Sequence, residues 1–166
     1  VYEQWYKVTH PAPQLLEEAV YGLTEFARED LRGARLVANP GCYTTTALLA
    51  LAPLVRAGSE VAGDIIVDAK SGVSGAGRKP KTNTLFVEVA DNFSPYAIGR
   101  DHRHLPEMEQ VIGWWHERPP RLIFSPHLLP VPRGILANIY VSGLEIWPES
   151  EVRALYDAAY GGEQFV

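Results

Sequence analysis

Apolar residues recur every three or four positions in four stretches of the chain, and this spacing predicts four helices. The four stretches are residues 13–30, 42–55, 105–116 and 149–160. In the first stretch the apolar stripe ends at Gly22, a residue type that commonly terminates helices. In the third stretch Pro106 is predicted at the first helical position, where proline loses no helical hydrogen bond.

Five shorter stretches are rich in β-branched residues or alternate between apolar and polar side chains, a pattern that predicts strands. They are residues 34–38, 64–69, 86–89, 121–126 and 135–144. Helices and strands follow one another irregularly, and loops rich in proline and glycine connect them. This order predicts an α+β domain in which helices cover a mixed sheet.

Length and composition are typical of one globular domain, or of one domain with part of another. The 166 residues are 46% hydrophobic and 21% charged, with a net charge of −5. Because no basic cluster, long apolar run or leader-like segment is visible, we expect neither nucleic-acid binding nor a membrane span. The single cysteine excludes an internal disulfide and favours a cytoplasmic location. The first residue is not methionine, which suggests a piece of a longer chain.

The only cysteine, Cys42, follows Asn39-Pro40-Gly41 and opens a predicted helix. In the first helical turn, unpaired N–H groups and the helix dipole favour a thiolate over a thiol. The thiolate is the nucleophilic form, so this position indicates an activated cysteine. The alternative is a buried cysteine that acts as a small apolar side chain.

A second group of reactive side chains lies at the start of the helix predicted over 105–116. His104 and Glu107 are three residues apart, so the carboxylate is expected to orient the imidazole for acid–base chemistry. Together with Cys42 they would form an activated-thiol site. Two alternatives stay open: a polar helix cap with exposed histidines, and a metal site in which His102 and His104 are joined by Cys42 or Glu107.

Two loops are candidates for binding an anion. The loop at 71–79 can present consecutive backbone N–H groups to a phosphate, although a mobile glycine turn would have the same composition. Its small residues are Ser71, Gly72, Ser74, Gly75 and Gly77. In the other loop, Arg133 offers a planar guanidinium to a carboxylate or phosphate, with an ordinary surface charge as the alternative.

Taken together, these segments resemble the N-acetyl-gamma-glutamyl-phosphate reductases, a family of arginine-biosynthesis enzymes. The matching stretches are Val20-Tyr21-Gly22-Leu23, Asn39-Pro40-Gly41-Cys42-Tyr43, Ser71-Gly72-Val73-Ser74-Gly75-Ala76-Gly77-Arg78, His102-Arg103-His104-Leu105-Pro106-Glu107 and Pro132-Arg133-Gly134-Ile135-Leu136. They occur in the family's order and extend over most of the chain. The chain departs from the usual pattern at Thr44 and Leu105, and neither departure removes a reactive group.

The resemblance implies a fold and a chemistry. The fold is that of the catalytic domain of glyceraldehyde-phosphate and aspartate-semialdehyde dehydrogenases, with a largely antiparallel sheet. Cys42 would attack an acyl phosphate to form a thioester, which is reduced with NADPH to a semialdehyde. His104 would be the general acid/base and Glu107 would orient it. The substrate-binding residues would be His102, Arg103 and Arg133, and the NADP-binding residues would be Ser71, Gly72, Ser74 and Gly75.

The resemblance also implies how the chain is divided. Residues 1–40 would be the remnant of a dinucleotide-binding domain, whose glycine-rich strand–turn–helix is not in this sequence. Residues 41–166 would be a catalytic and oligomerisation domain, C-terminally truncated and inactive alone, from a homodimer or homotetramer. The related alternative is an aminoadipyl-phosphate reductase of lysine biosynthesis that acts on a carrier-bound substrate. The basic residues available to such a carrier are Arg78, Lys79, Lys81, Arg100 and Arg103.

Overall fold

The computed structural model describes residues 2–58, 63–143 and 147–166. Its helices are α1 (Tyr2–Tyr6), α2 (Thr24–Leu31), α3 (Cys42–Arg56), α4 (Phe86–Val89), α5 (His104–Trp115) and α6 (Glu149–Tyr160). Its strands are β1 (Val20–Tyr21), β2 (Val37–Ala38), β3 (Ile65–Ser71), β4 (Ser94–Pro95), β5 (Leu122–Leu128) and β6 (Ile135–Val141). Short 3-10 turns occur at Pro13–Leu16, Val73–Ala76 and Thr82–Thr84.

A four-stranded mixed sheet with the order β4-β5-β3-β6 forms the centre of the domain. The central strand β3 is parallel to β5, with Val67 opposite Phe124, and antiparallel to β6. β4 is antiparallel to β5, and a separate parallel pair joins β1 to β2. Two of the three pairings in the main sheet are therefore antiparallel, and the predicted α+β fold with a mixed sheet is confirmed.

Helices α3 and α5 cover one face of this sheet because each carries a continuous apolar stripe. Ile65, Val67 and Ala69 of β3 alternate with less buried residues and point into this core. The helical residues buried against them include Ala47, Leu48, Leu51, Met108, Val111 and Ile112. The same packing brings the first turns of α3 and α5 together, which places Cys42 near the start of the second helix.

The opposite face of the sheet is exposed and partly apolar. Ile66 lies opposite Ile123 on one side and Tyr140 on the other, and all three side chains are exposed. Further along β3, Asp68 and Lys70 lie on the same face and form an ion pair with each other. The face therefore combines an apolar row with a charged one, a composition suited to association with another protein surface.

The helical turns predicted over residues 13–30 are not continuous, and this prediction is wrong. A 3-10 turn ends at Leu16, the strand β1 follows, and α2 begins only at Thr24. The Val20 N–H donates to the carbonyl of Leu36 at 3.0 Å, so pairing with a distant segment replaces the local helix. Leu16 remains exposed, because the apolar stripe of this stretch does not face the core.

Three further boundaries differ from the sequence-based expectations. Residues 86–89 form one helical turn instead of a strand, since four alternating residues carry little information without a pairing partner. Only Val37–Ala38 of the strand predicted over 34–38 is paired. Helix α5 begins at His104, so Pro106 is its third residue and not its first. Proline is still tolerated there, because the N–H groups of the first helical turn have no partners within the helix. The last residue of the strand predicted over 135–144 lies outside the described residues.

Candidate active site

Cys42 is the first residue of α3, and its thiol is exposed. Gly41 precedes it in an extended conformation, with φ −64° and ψ 154°, and Pro40 before that is buried. The Thr45 N–H donates to the Gly41 carbonyl at 2.8 Å, so helical hydrogen bonding starts at this turn. The helix start agrees with the sequence-based prediction, and the exposed thiol argues against a cysteine that only fills the core.

His104 lies directly against the residue that precedes Cys42. A methyl group built on Gly41 would meet the imidazole ring, with Nε2 as the nearest atom and Cδ2 and Cε1 each 2.7 Å away. The Gly41 backbone angles are open to any residue, so it is the approach of this ring that requires glycine here. The structure thus brings His104 against the residue that precedes Cys42, although His104 and Cys42 are 62 positions apart in the sequence.

The environment of His104 keeps its imidazole neutral. The Nδ1 atom is buried and has no hydrogen-bond partner within the described part of the chain. Burial lowers the pKa of His104 below its usual range, the charge of Arg103 lowers it further, and the charge of Glu107 opposes both. A neutral imidazole is the form that can accept a proton from a thiol.

Glu107 does not make the contact expected from its spacing to His104. Its Oε1 accepts hydrogen bonds from the Tyr21 hydroxyl at 2.8 Å and the Gly41 N–H at 3.0 Å. Its Oε2 accepts one from the Thr44 hydroxyl at 3.0 Å. No hydrogen bond between Glu107 and His104 is found among the residues described, because the carboxylate points towards the start of α3.

His102 caps the helix that His104 begins. Its Nδ1 accepts the His104 N–H at 3.1 Å, so the proton of the neutral ring is on Nε2. The ring packs edge-on against Tyr43 and Phe124, with centroids 5.6 and 5.1 Å apart. Burial, followed by the neighbouring charges of His104 and Arg103, lowers the pKa of His102 to about 4. His102 therefore makes a cap contact, but its ring is half-buried and not exposed as the cap alternative supposed. Towards a substrate it offers one N–H donor without a charge.

Five backbone N–H groups of the loop predicted as an anion cradle are already bonded to carbonyls of the chain. The N–H groups of residues 72, 73 and 74 donate to the carbonyls of Gly134, Val131 and Pro132 at 2.9, 2.9 and 3.1 Å. Within the loop itself, the N–H groups of Gly75 and Gly77 are bonded to carbonyls. Of the four residues expected to contact NADP, Ser71 and Gly72 are buried, while Ser74 and Gly75 are exposed. These five N–H groups are therefore not available to a phosphate.

The two arginines predicted to bind substrate are both exposed. The Arg103 guanidinium lies over the ring of Tyr6, 5.3 Å from its centroid. The backbone N of Arg133 packs so closely on Gly72 that an added methyl group there would lie 2.7 Å from it. Neither guanidinium forms an ion pair with a described residue, so both charges are available to an anionic ligand.

The geometry gives the metal alternative no support. Across residues 2–58, 63–143 and 147–166, no three His, Cys, Asp or Glu side chains lie close enough to hold an ion.

The same ranges contain no helix with the length and apolar character needed to cross a membrane.

Comparison with known proteins identifies the family. Residues 42–166 match the family described as the semialdehyde dehydrogenase, dimerisation domain. The chain belongs to this family. The match begins at Cys42, the residue that opens α3.

Several relatives of this dimerisation domain share about half of its residues. The chain is 52% identical over 165 residues to a protein of Symbiobacterium thermophilum and 47% identical over 165 residues to one of Moorella thermoacetica. Both relatives are named N-acetyl-gamma-glutamyl-phosphate reductase, which confirms the resemblance drawn from the sequence. The alignments cover 99% of this chain but 47% of each relative, so the chain spans about half the length of the curated relatives it matches.

Solved structures show that the fold is that of semialdehyde dehydrogenases. Aspartate semialdehyde dehydrogenase II from Vibrio cholerae superposes with a TM-score of 0.65 at 20% identity, over 87% of this chain and 50% of that protein. The same enzyme in complex with ASA gives a TM-score of 0.64 at 19% identity over the same shares. The fold class predicted from the sequence is therefore confirmed.

The candidate site includes residues that sequence reasoning missed. The hydroxyl groups of Tyr21 and Thr44 both donate to Glu107. Tyr21 and Glu107 are 86 positions apart in the sequence. The Tyr96 hydroxyl donates to the Tyr43 hydroxyl at 3.0 Å, and burial raises the pKa of both phenols. Tyr43 and Thr44 directly follow Cys42 in the sequence, but only the folded chain brings their partners Tyr96 and Glu107 to them.

Proposed function

We propose that this chain is the catalytic and oligomerisation part of an N-acetyl-gamma-glutamyl-phosphate reductase, a cytoplasmic enzyme of arginine biosynthesis. The observation that carries the proposal is the position of the His104 imidazole against Gly41, next to the exposed Cys42 thiol. An exposed thiol at a helix start with a neutral imidazole beside it is the arrangement expected of a nucleophilic cysteine.

The first step that these residues support is transfer of the acyl group. His104 accepts the thiol proton as the sulfur of Cys42 bonds to the acyl carbon, and the bond from that carbon to the phosphate oxygen breaks. Phosphate leaves and a thioester remains on Cys42. The unpaired guanidinium groups of Arg103 and Arg133 are the candidates for binding the anionic groups of the substrate.

Reduction of the thioester needs a hydride, which NADPH would supply. Since five N–H groups of the loop at 71–77 are already bonded within the chain, we expect the cofactor phosphates to be bound mainly by the half of the relatives' length that this chain does not span. This expectation agrees with the division of the chain into residues 1–40, next to the cofactor domain, and residues 41–166.

Self-association through the exposed sheet face belongs to the same proposal. The family is described as a dimerisation domain, and the row Ile123, Ile66 and Tyr140 provides an apolar surface on the side away from α3 and α5. Burying this row against a second copy would leave Cys42 accessible, because the thiol lies on the helical side of the sheet. We therefore expect a homodimer or a homotetramer.

The test is substrate-dependent reduction by the full-length protein. NADPH oxidation and phosphate release are measured with N-acetyl-gamma-glutamyl phosphate and, in parallel, with aminoadipyl phosphate. We expect turnover with the first substrate, and a decrease in kcat of about 10²–10⁴-fold for His104→Asn, the range for loss of a general acid/base. Faster turnover with the aminoadipyl substrate would indicate instead that the enzyme acts in lysine biosynthesis. Turnover with neither acyl phosphate would contradict the proposal.

A further inference from the structure

Three hydrogen-bond donors converge on the carboxylate of Glu107, and none of them is the residue expected from the sequence. They are the Tyr21 hydroxyl, the Gly41 N–H and the Thr44 hydroxyl, at 2.8, 3.0 and 3.0 Å. Hydrogen bonds to a charged acceptor are about twice as strong as those between neutral groups. The Glu107 side chain therefore holds in place the three residues that carry these donors.

Two of these donors lie on either side of the nucleophile. Gly41 immediately precedes Cys42, and Thr44 follows it by two residues. The Glu107 carboxylate bonds the backbone N–H of Gly41 with one oxygen and the side-chain hydroxyl of Thr44 with the other, and so holds the first turn of α3 on both sides of the cysteine. Among the described residues the exposed thiol has no hydrogen-bond partner of its own, so its direction depends on this turn.

The carboxylate also fixes the thiol relative to the imidazole. Glu107 lies in the first turn of α5, the helix that His104 begins. A hydrogen bond from the Cys42 turn to Glu107 therefore holds one helix start against the other. The contact of His104 with Gly41 follows from this alignment, without any hydrogen bond from Glu107 to the imidazole.

The third donor joins a more distant segment to the same carboxylate. Burial raises the pKa of Tyr21, and the charge of Glu107 raises it further, so this hydroxyl remains a donor at any physiological pH. Tyr21 belongs to β1, before the matched family region begins at residue 42. The nucleophile is thus anchored to the N-terminal segment as well as to α5.

We propose that Glu107 is a positioning residue for the Cys42 turn, acting through Gly41 and Thr44. Tyr21 supports the carboxylate from the N-terminal segment. The proposal rests on the acyl-phosphate reductase function above and assigns to Glu107 a role different from orienting His104.

The test compares Thr44→Val with the matched control Thr44→Ser in the full-length protein. The first variant removes the hydroxyl that bonds Glu107 at nearly constant volume, and the second keeps it. Two quantities are measured: the rate of iodoacetamide alkylation at Cys42, located by mass spectrometry, and kcat as a function of pH. Thr44→Val should lower both by about tenfold, the effect of losing a hydrogen bond to a charged group. Thr44→Ser should restore them, and the pH profile should not move.

A second variant, Glu107→Gln, distinguishes the two roles of the carboxylate. It keeps an acceptor oxygen but removes the charge that opposes the lowered pKa of His104. Loss of this charge should move the pH profile of kcat to lower pH under either role, so the deciding quantity is alkylation: if Glu107 acts on the cysteine turn, alkylation of Cys42 slows as well. A shifted pH profile with wild-type alkylation, together with wild-type behaviour of Thr44→Val, would overturn the proposal.

Two further outcomes are decided by the same measurements. If Thr44→Val lowers only the melting temperature and leaves alkylation and kcat unchanged, the hydrogen bond serves stability alone and the proposal is wrong. If the wild-type protein reduces no acyl phosphate, the proposed function fails, while the alkylation rates still decide the role of Glu107.

Discussion

Replacing Gly41 with alanine tests the contact on which the proposed chemistry depends. The new methyl group would lie 2.7 Å from both Cδ2 and Cε1 of His104, with Nε2 closer still. Carbon atoms in ordinary contact are about 3.5–4.0 Å apart, so the ring has to retreat by roughly 1 Å. The ring is the movable partner, because the Gly41 N–H is held by Glu107.

The effect on rate should be much larger than the effect on stability. A displacement of about 1 Å at a reacting group can lower kcat by about 10²-fold. The backbone angles of Gly41 are allowed for alanine, and the replacement reduces the freedom of the unfolded chain by about 0.4–1 kcal/mol. This gain partly offsets the steric strain, so we expect the free energy of unfolding to change by no more than about 1–2 kcal/mol.

The assay is steady-state reduction of N-acetyl-gamma-glutamyl phosphate by the full-length protein, with thermal unfolding measured in parallel. Gly113→Ala is the matched control, because a methyl group on this α5 glycine would meet no atom within 4 Å. The control should keep wild-type kcat and gain stability, since alanine is the better helix former. A Gly41→Ala variant with wild-type kcat would refute the role assigned to the imidazole position.

Three other predictions concern the surroundings of the site. The pKa of His102 is about 4 in the folded protein, below the ordinary value of about 6.5. The His102 imidazole therefore binds a proton more readily in the unfolded chain than in the folded one. The free energy of unfolding should therefore fall as the pH decreases from about 6.5 to 4, and urea titrations should show a smaller fall for His102→Asn. Gly72→Ala would place a methyl group 2.7 Å from the Arg133 backbone N and should lower the free energy of unfolding by about 1–3 kcal/mol in the same titrations; an unchanged value would contradict the packing of the two loops. Tyr140→Glu on the open sheet face should weaken self-association in sedimentation, whereas Leu16→Glu, also exposed but in the N-terminal turn, should not; equal behaviour of the two would place the interface elsewhere.

The elements predicted correctly from the sequence are those with long and regular patterns. Helices α3 and α6 and strand β3 have enough apolar residues at one spacing to determine their type. The errors fall on short segments, such as residues 86–89, and on residues 13–30, where pairing between β1 and β2 decides the outcome. Such pairing depends on contacts across the fold, which local spacing does not contain.

The candidate site shows the same division between local and long-range information. The helix start at Cys42 follows from a local turn, so the sequence predicts it. The partners of Glu107 lie up to 86 positions away, and the nearest local partner, His104, is not among them. In the glycine-rich loop, composition shows how many N–H groups are present, but not that the carbonyls of Gly134 and its neighbours accept some of them.

The central claim is that Cys42 captures the acyl group of an acyl phosphate, and one measurement tests it directly. The full-length protein is mixed with N-acetyl-gamma-glutamyl phosphate without a nicotinamide cofactor, and phosphate release and protein mass are followed. The account predicts release of about one phosphate per active site, with an N-acetylglutamyl adduct located at Cys42 and absent from Cys42→Ala. Steady reduction of the substrate by an enzyme that forms no adduct, or by Cys42→Ala, would contradict it.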